Sequence, residues 1–89
     1  MSRFHWINDN IKIDFPVSRV MQNTMDEAEE LDLANDIEYN AVADILDIMC
    51  KEAYVNKLLT KAQWRQICTR YPYYGYIESE KEGIVSENI

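Results

Sequence analysis

The residue types that could carry chemistry are concentrated in one acidic block. Between Val20 and Cys50 the chain has no lysine, arginine or histidine. The nine carboxylates of this block are Asp26, Glu27, Glu29, Glu30, Asp32, Asp36, Glu38, Asp44 and Asp47. Carboxylates at this density can act as catalytic acids and bases, bind a cation, or present a negative surface to a basic partner. The spacing of the carboxylates along the chain indicates which of these three uses is possible.

A calcium loop is the metal site that the acidic block resembles most. Asp36, Glu38 and Asn40 have the spacing of the first three calcium ligands. However, Ala41 stands where such a loop requires glycine, and Asp47 stands where it requires a bidentate glutamate. We therefore expect an ordinary helical segment here and no calcium site.

The other chemistry-bearing side chains are too few for a zinc site or a phosphate loop. Structural zinc takes four ligands, whereas His5, Cys50 and Cys68 are the only histidine and cysteines of the chain. A glycine-rich phosphate loop cannot be built from Gly75 and Gly83 alone. We predict a non-catalytic protein that uses neither a metal nor a cofactor.

Charge is distributed unevenly along the 89 residues. The formal net charge is −7, yet nine acids and no base give residues 20–50 a charge of −9, and five bases and one acid give residues 51–70 a charge of +4. An apolar content of 47% is typical of a folded domain rather than a disordered acidic tail. No apolar run has the length of a signal sequence or a membrane span. We expect residues 1–89 to form a single soluble, cytoplasmic domain with no membrane partner.

Hydrophobic periodicity predicts two helices over the acidic block. The first covers about residues 17–33, with an alternative start at Thr24, because Thr24 and Glu27 have the spacing of a capping box. The second covers about residues 37–56, and apolar side chains occupy about half of its circumference. Such a wide apolar arc predicts the central helix of the core.

A third helix is predicted over about residues 61–71. Thr60 is placed as its N-cap, and Gln63 has the matching capping-box position. The short connection before it makes the second and third helices antiparallel neighbours. Cys50 and Cys68 should then lie at similar height on facing helices, as reduced and buried thiols.

Alternating apolar and polar residues predict a small antiparallel β element from the two ends of the chain. The N-terminal part covers about residues 3–15, as a hairpin around the turn-forming residues 8–10. The C-terminal part covers about residues 73–89, as two short strands. The predicted fold class is therefore α+β and predominantly helical, with three helices.

The acidic block leads to our main functional hypothesis, a small acidic protein-interaction module. Its helices would present carboxylates to a basic protein partner, and such a surface speeds association and can occupy a groove built for nucleic-acid phosphates. The specific form of this hypothesis is an inhibitor or regulator of a nucleic-acid-binding protein. The residues predicted to bind the partner are Asp26, Glu27, Glu29, Glu30, Asp32, Asp36, Asp44 and Asp47.

Two alternatives use the basic segment instead. Two helices joined by a short turn and followed by a hairpin have the order of a winged-helix nucleic-acid binder, although the net charge opposes binding to DNA. In a structural or accessory subunit, the basic segment 51–70 of one copy would meet the acidic block of another in a homodimer. The residues of this alternative nucleic-acid or partner face are Lys61, Arg65, Gln66, Thr69, Arg70, Tyr73, Tyr74 and Tyr76.

Overall fold

Three α-helices make up the regular structure of the described chain. The computed structural model describes residues 4–73, and in this range the helices are α1 (Arg19–Leu33), α2 (Tyr39–Val55) and α3 (Lys61–Arg70), with no strand. The predominantly helical prediction is confirmed, and every helix begins and ends within two residues of its predicted bounds. The strands predicted over residues 73–89 lie outside the described residues, apart from the first residue of that range.

α1 begins at Arg19 because Ser18 caps it. The Ser18 hydroxyl accepts a hydrogen bond from the N–H of Met21 at 3.1 Å. Thr24, the alternative start, lies inside the helix, where its hydroxyl donates to the carbonyl of Val20 at 2.9 Å. The longer of the two predicted first helices is therefore the one that forms.

α3 begins with the predicted capping box. The Thr60 hydroxyl accepts from the N–H of Gln63, and the Gln63 side-chain oxygen accepts from the N–H of Thr60, both at 3.0 Å. α2 begins differently, because the Asp36 carboxylate accepts the N–H of Glu38 at 2.9 Å in a turn that precedes Tyr39. Side-chain caps thus determine where α1 and α3 begin, whereas Glu38, the N-cap residue of α2, makes no such bond.

α2 is the central helix, as its wide apolar arc predicts, because both α1 and α3 pack on it. Thr24 of α1 contacts the sulfur of Met49 at 3.5 Å, and Trp64 of α3 donates to Asp47 at 2.7 Å. Short turns join these helices, so each neighbouring pair is antiparallel. The buried hydrophobic residues are Ile7, Met21, Met25, Ala28, Tyr39, Val42, Ala43, Leu46, Cys50, Leu59, Ile67, Cys68 and Tyr71.

The predicted N-terminal hairpin is not formed in residues 4–15, which run as irregular chain over the helices. The carboxylate of Asp32 accepts the backbone N–H groups of His5, Trp6 and Ile7, at 2.5, 2.9 and 2.8 Å. Asp32 itself is completely buried. Because a helix side chain satisfies these three donors, the segment needs no partner strand.

The rest of the N-terminal segment is bound to α3. The N–H of Asn8 donates to the carbonyl of Arg70 at 2.8 Å, and the Arg70 guanidinium donates to the carbonyl of Ile11 at 2.7 Å. The side-chain amide of Gln66 donates to the carbonyl of Lys12. α1 and α3 together therefore hold a segment that lacks regular structure of its own.

α1 ends in a Schellman motif. The N–H of Asn35 donates to the carbonyl of Asp32, and the N–H of Asp36 donates to the carbonyl of Leu31, both at 2.9 Å. Asn35 has a φ of 55°. Asparagine adopts this left-handed conformation more readily than most residues, so the turn between α1 and α2 is closed at low cost.

α2 ends in the same motif with a less suitable residue. The N–H of Lys57 donates to the carbonyl of Tyr54 at 3.0 Å, and the N–H of Leu58 donates to the carbonyl of Ala53 at 2.8 Å. Lys57 has a φ of 63°. The Cβ of a lysine makes this conformation cost roughly 1 to 2 kcal/mol.

Replacing Asp32 by asparagine should destabilise the fold. An asparagine keeps the size of the side chain but loses the charge, and its amide group would face backbone donors. We expect Asp32→Asn to lower the free energy of unfolding by about 3 kcal/mol, since a hydrogen bond to a charged group contributes about 1.5 to 3 kcal/mol. Urea unfolding measures the loss. The matched control is Glu30→Gln on the exposed side of α1, and a similar effect of the two substitutions would contradict the anchoring role.

Replacing Lys57 by glycine should stabilise the fold. Glycine removes the left-handed penalty, and the chain entropy that it adds to the unfolded state offsets only part of this gain. We therefore expect the Lys57→Gly variant to be more stable by about 0.5 to 1 kcal/mol. The control Lys51→Gly lies within α2 and should be less stable by about 1 kcal/mol. Both values come from thermal or urea unfolding. Destabilisation by Lys57→Gly would show that the lysine side chain itself supports the turn.

Candidate interaction surface

The structure divides the nine carboxylates of the acidic block into an inward group and an exposed group. Asp32, Glu29 and Asp47 make contacts within the protein. The exposed members, which we call the acidic surface, are Asp26, Glu27, Glu30, Asp36, Glu38 and Asp44. Five of the eight predicted partner-binding residues belong to this surface, and Glu38 joins them.

Asp32 is buried and its carboxylate is fully occupied by the N-terminal segment. Beside it, Trp6 stacks on Tyr39 with ring centroids 5.2 Å apart, and the Tyr39 hydroxyl donates to the carbonyl of Pro72 at 2.7 Å. Burial, followed by the charge of Asp32, raises the pKa of Tyr39. Asp32 therefore serves the fold and is absent from the surface that a partner can reach.

The position of Asp32 in the helix carried a signal of its burial. It follows Ala28 by four residues and Met25 by seven, which places it on the buried stripe of α1. A carboxylate on an apolar stripe predicts a set of internal donors, because an unpaired buried charge is very costly. The partners themselves lie more than 20 residues away, and spacing along the helix does not identify them.

Asp47 is half-buried between α2 and α3. It accepts hydrogen bonds from the indole N–H of Trp64 at 2.7 Å, from the thiol of Cys68 at 3.0 Å, and from the hydroxyl of Tyr73 at 3.3 Å. Tyr73 was predicted to belong to the alternative nucleic-acid or partner face, and its hydroxyl is used here. Asp47 therefore holds the chain after α3 against α2.

Glu29 is half-buried and faces the end of α3. Its carboxylate accepts the hydroxyl of Tyr71 at 2.8 Å and lies 3.5 Å from the Arg70 guanidinium. Arg70 also lies 3.6 Å from the carboxylate of Asp9, and its side chain is only 11% exposed. The Arg70 side chain therefore joins three parts of the chain and is withdrawn from the face on which we predicted it.

Other members of the alternative face are divided between solvent and internal contacts. Lys61 and Arg65 are exposed. The Gln66 amide is bound to the N-terminal segment, and the hydroxyl of Thr69 donates to the carbonyl of Arg65 at 2.8 Å. The remaining members, which lie outside the described residues, are Tyr74 and Tyr76.

Electrostatically, the acidic surface lacks compensation by the described cations. The ion pairs of residues 4–73 involve the carboxylates of Asp9 and Glu29 and none from the acidic surface. Glu30 lies four residues after Asp26 and three after Glu27 in α1, so each of these two like-charged pairs costs about 0.2 to 0.5 kcal/mol. They also lie in the C-terminal half of α1, where the helix dipole disfavours negative charge. The arrangement lowers stability and raises the negative potential outside the protein.

Residues 4–73 contain neither a cluster of metal-binding side chains nor a membrane-spanning helix. In this range no three histidine, cysteine, aspartate or glutamate side chains are grouped so that they could hold a metal ion. None of the three helices described is sufficiently long and apolar to cross a membrane.

Comparisons with protein-family models, with curated proteins and with solved structures gave no match.

The two cysteines are buried free thiols at the contact between α2 and α3. Burial, with a contribution from Asp47, raises the pKa of Cys50 to about 12. Burial and the hydrogen bond to Asp47 also raise the pKa of Cys68, and the charge of Cys50 adds to this shift. Both groups therefore stay protonated, and poorly nucleophilic, at neutral pH.

The buried thiols should make the protein sensitive to alkaline pH. In an unfolded chain a thiol ionises near pH 9, whereas the folded protein retains the Cys50 proton up to a pH of about 12. The folded state binds more protons in this window, so stability that is present below pH 9 is lost as the pH rises. We expect Cys50→Ala to reduce this loss by up to about 1.4 kcal/mol per pH unit.

Urea unfolding at several pH values between 7 and about 11 measures the effect. Val42→Ala is the control, because it also truncates a buried side chain of α2 but removes no titrating group. The Val42→Ala substitution should lower the free energy of unfolding by the same amount at all of these pH values. An unchanged pH dependence in Cys50→Ala would contradict the assignment.

Proposed function

We propose that this protein is a non-catalytic protein-interaction module whose acidic surface binds a basic protein partner. The observation that carries the proposal is the separation of charge. Six exposed carboxylates form no ion pair with a described cation, while Arg70 is used inside the protein against Glu29 and Asp9. The partner-binding residues that we propose are those of the acidic surface.

The energetic cost of the acidic surface supports a role in binding. A face that serves only solubility needs polar side chains, and mixing the two signs of charge would satisfy that need without repulsion. Glu30 instead lies at repulsive spacing from both Asp26 and Glu27, and it is in the last turn of α1, where the helix dipole disfavours negative charge. A partner that supplies the missing positive charge would recover this energy on binding.

The density of charge favours a nucleic-acid-binding protein as the partner. Asp26 and Glu30 are about 6 Å apart along the helix axis, because each residue adds 1.5 Å, and Glu27 lies between them. Three charges over this length resemble a DNA strand, in which phosphates follow one another every 3.4 Å. The protein would then act as an inhibitor or regulator that occupies the partner's phosphate-binding groove.

The two alternatives have less support. A winged-helix contact through α3 would rely on Lys61 and Arg65, because Gln66 and Arg70 are bound to the N-terminal segment. A homodimer that joins the basic segment to the acidic block would lack the Arg70 charge for the same reason. We therefore retain the acidic surface as the proposed binding site.

Two charge-matched double variants test the proposal. Glu27→Gln with Glu30→Gln removes two charges from the acidic surface, and Asp14→Asn with Glu52→Gln removes two exposed charges elsewhere. The probe is a labelled arginine-rich peptide, titrated at low salt by fluorescence anisotropy. We expect the first variant to bind about tenfold more weakly and the control to lose at most about twofold, since local complementarity adds to the effect of net charge.

A competition experiment tests the partner class. A DNA duplex and the unmodified protein should displace each other from the same peptide, and added salt should weaken both complexes. If the two double variants lose equal affinity for the peptide, net charge alone explains the binding, and the acidic surface is rejected as the binding site. Unfolding curves of both variants confirm that they remain folded.

A further inference from the structure

A second exposed surface is apolar and separate from the acidic surface. Its five members, which we call the apolar face, are Val20, Ile45, Ile48, Val55 and Leu58, with exposed fractions of 61%, 49%, 57%, 67% and 79%. Single exposed aliphatic side chains are common, whereas a group of neighbouring ones indicates a contact surface. The described chain leaves this face uncovered.

The members of the apolar face are adjacent in space. Ile45, Ile48 and Val55 are three and seven residues apart, which places them on one side of α2, and the exposed Glu52 lies on the same side, four residues after Ile48. Ile48 also lines a groove of about 580 Å³ between α1 and α2, together with Val20 and Leu58. The face therefore extends from α2 across the groove to the beginning of α1.

Charged residues on one edge of this face indicate what covers it. Asp44 and Lys51 are both exposed and seven residues apart, so they lie on the same edge of α2. When two α2 helices pack antiparallel about a two-fold axis near Ile48, Asp44 of each copy lies opposite Lys51 of the other. Symmetry forms this pair twice. In a parallel two-fold pair this edge would face the opposite edge of the other α2, so Asp44 and Lys51 would not meet.

We propose that the apolar face is the contact between two copies of this chain, with α2 packed antiparallel on α2 of the second copy. Ile48 lies at the centre of the contact, and the Asp44 and Lys51 pairs set its register. The proposal goes beyond the binding of a basic partner, because the five members of the apolar face are distinct from the acidic surface, and only Asp44, at the edge of the dimer contact, belongs to the acidic surface as well.

The exposed area predicts the strength of the dimer. A fully exposed aliphatic side chain offers roughly 100 Å² of apolar surface, so the partly exposed members of the face offer about 300 Å² per copy. Interface cores are about 65% apolar, which implies a total contact of about 900 Å². This area is at the low end of specific interfaces, so we expect a reversible dimer with a dissociation constant in the micromolar range or weaker.

Sedimentation equilibrium over protein concentrations up to about 1 mM tests the proposal, because a micromolar dimer is fully formed there. The unmodified protein should change from monomer to dimer, and high salt should weaken the dimer without abolishing it. Ile48→Lys should weaken it about tenfold or more. The control Ile37→Lys, at a residue that is 77% exposed in the turn before α2, should leave the dimer unchanged.

Charge reversal tests the register of the two helices. The single variants Asp44→Lys and Lys51→Asp each place like charges opposite one another, so both should dimerise more weakly. A mixture of the two variants restores both opposite-charge pairs and should form a heterodimer, and the double variant should dimerise like the unmodified protein. Both positions are exposed, so the fold is retained and unfolding curves check this.

Three results would overturn the proposal. If the protein is a monomer at every concentration, another segment or another protein covers the apolar face, and the dimer is rejected. A dimer that survives Ile48→Lys would place the contact elsewhere. Equal dimerisation of the single variants, the mixture and the double variant would reject the antiparallel register.

Discussion

The rest of the structure depends on the hydrogen bonds that the buried carboxylate of Asp32 accepts from the N-terminal segment. Burying a charge costs several kcal/mol unless hydrogen bonds replace its water, and here three backbone N–H groups do so. The same bonds fix an irregular segment over the core, so that Trp6 can stack on Tyr39. Arg70 provides a second attachment for this segment. Asp32 on α1, with Arg70 and Gln66 on α3, therefore provides the hydrogen bonds that a partner strand would supply in a sheet.

The helices could be predicted from the sequence because their signals are local. Apolar periodicity and the caps at Ser18 and Thr60 act within one or two turns, and a linear pattern records them directly. The prediction of an N-terminal hairpin was wrong for a related reason. Alternation at period two shows that an extended segment places one side on a core, and Phe4, Trp6 and Ile13 do pack on it. It does not show whether another strand or a set of helices supplies the hydrogen bonds.

The inward carboxylates were predicted less well because their partners are distant in sequence. Asp47 meets donors 17 to 26 residues further along the chain, and Glu29 meets Tyr71 across 42 residues. In a dense acidic block, every carboxylate is expected to be exposed to solvent. The fold instead divides it between internal hydrogen-bond acceptors and surface charges, and only the buried stripe of α1 distinguishes Asp32 in advance.

The attachment of the N-terminal segment to α3 also has a kinetic consequence. The hydrogen bond from Arg70 to Ile11 spans 59 residues, and closing so long a loop costs entropy before any contact repays it. During synthesis the segment emerges before its hydrogen-bond partners on α3. α1 and α2 are neighbours in sequence, but the N-terminal segment reaches its final position only after α3 has left the ribosome.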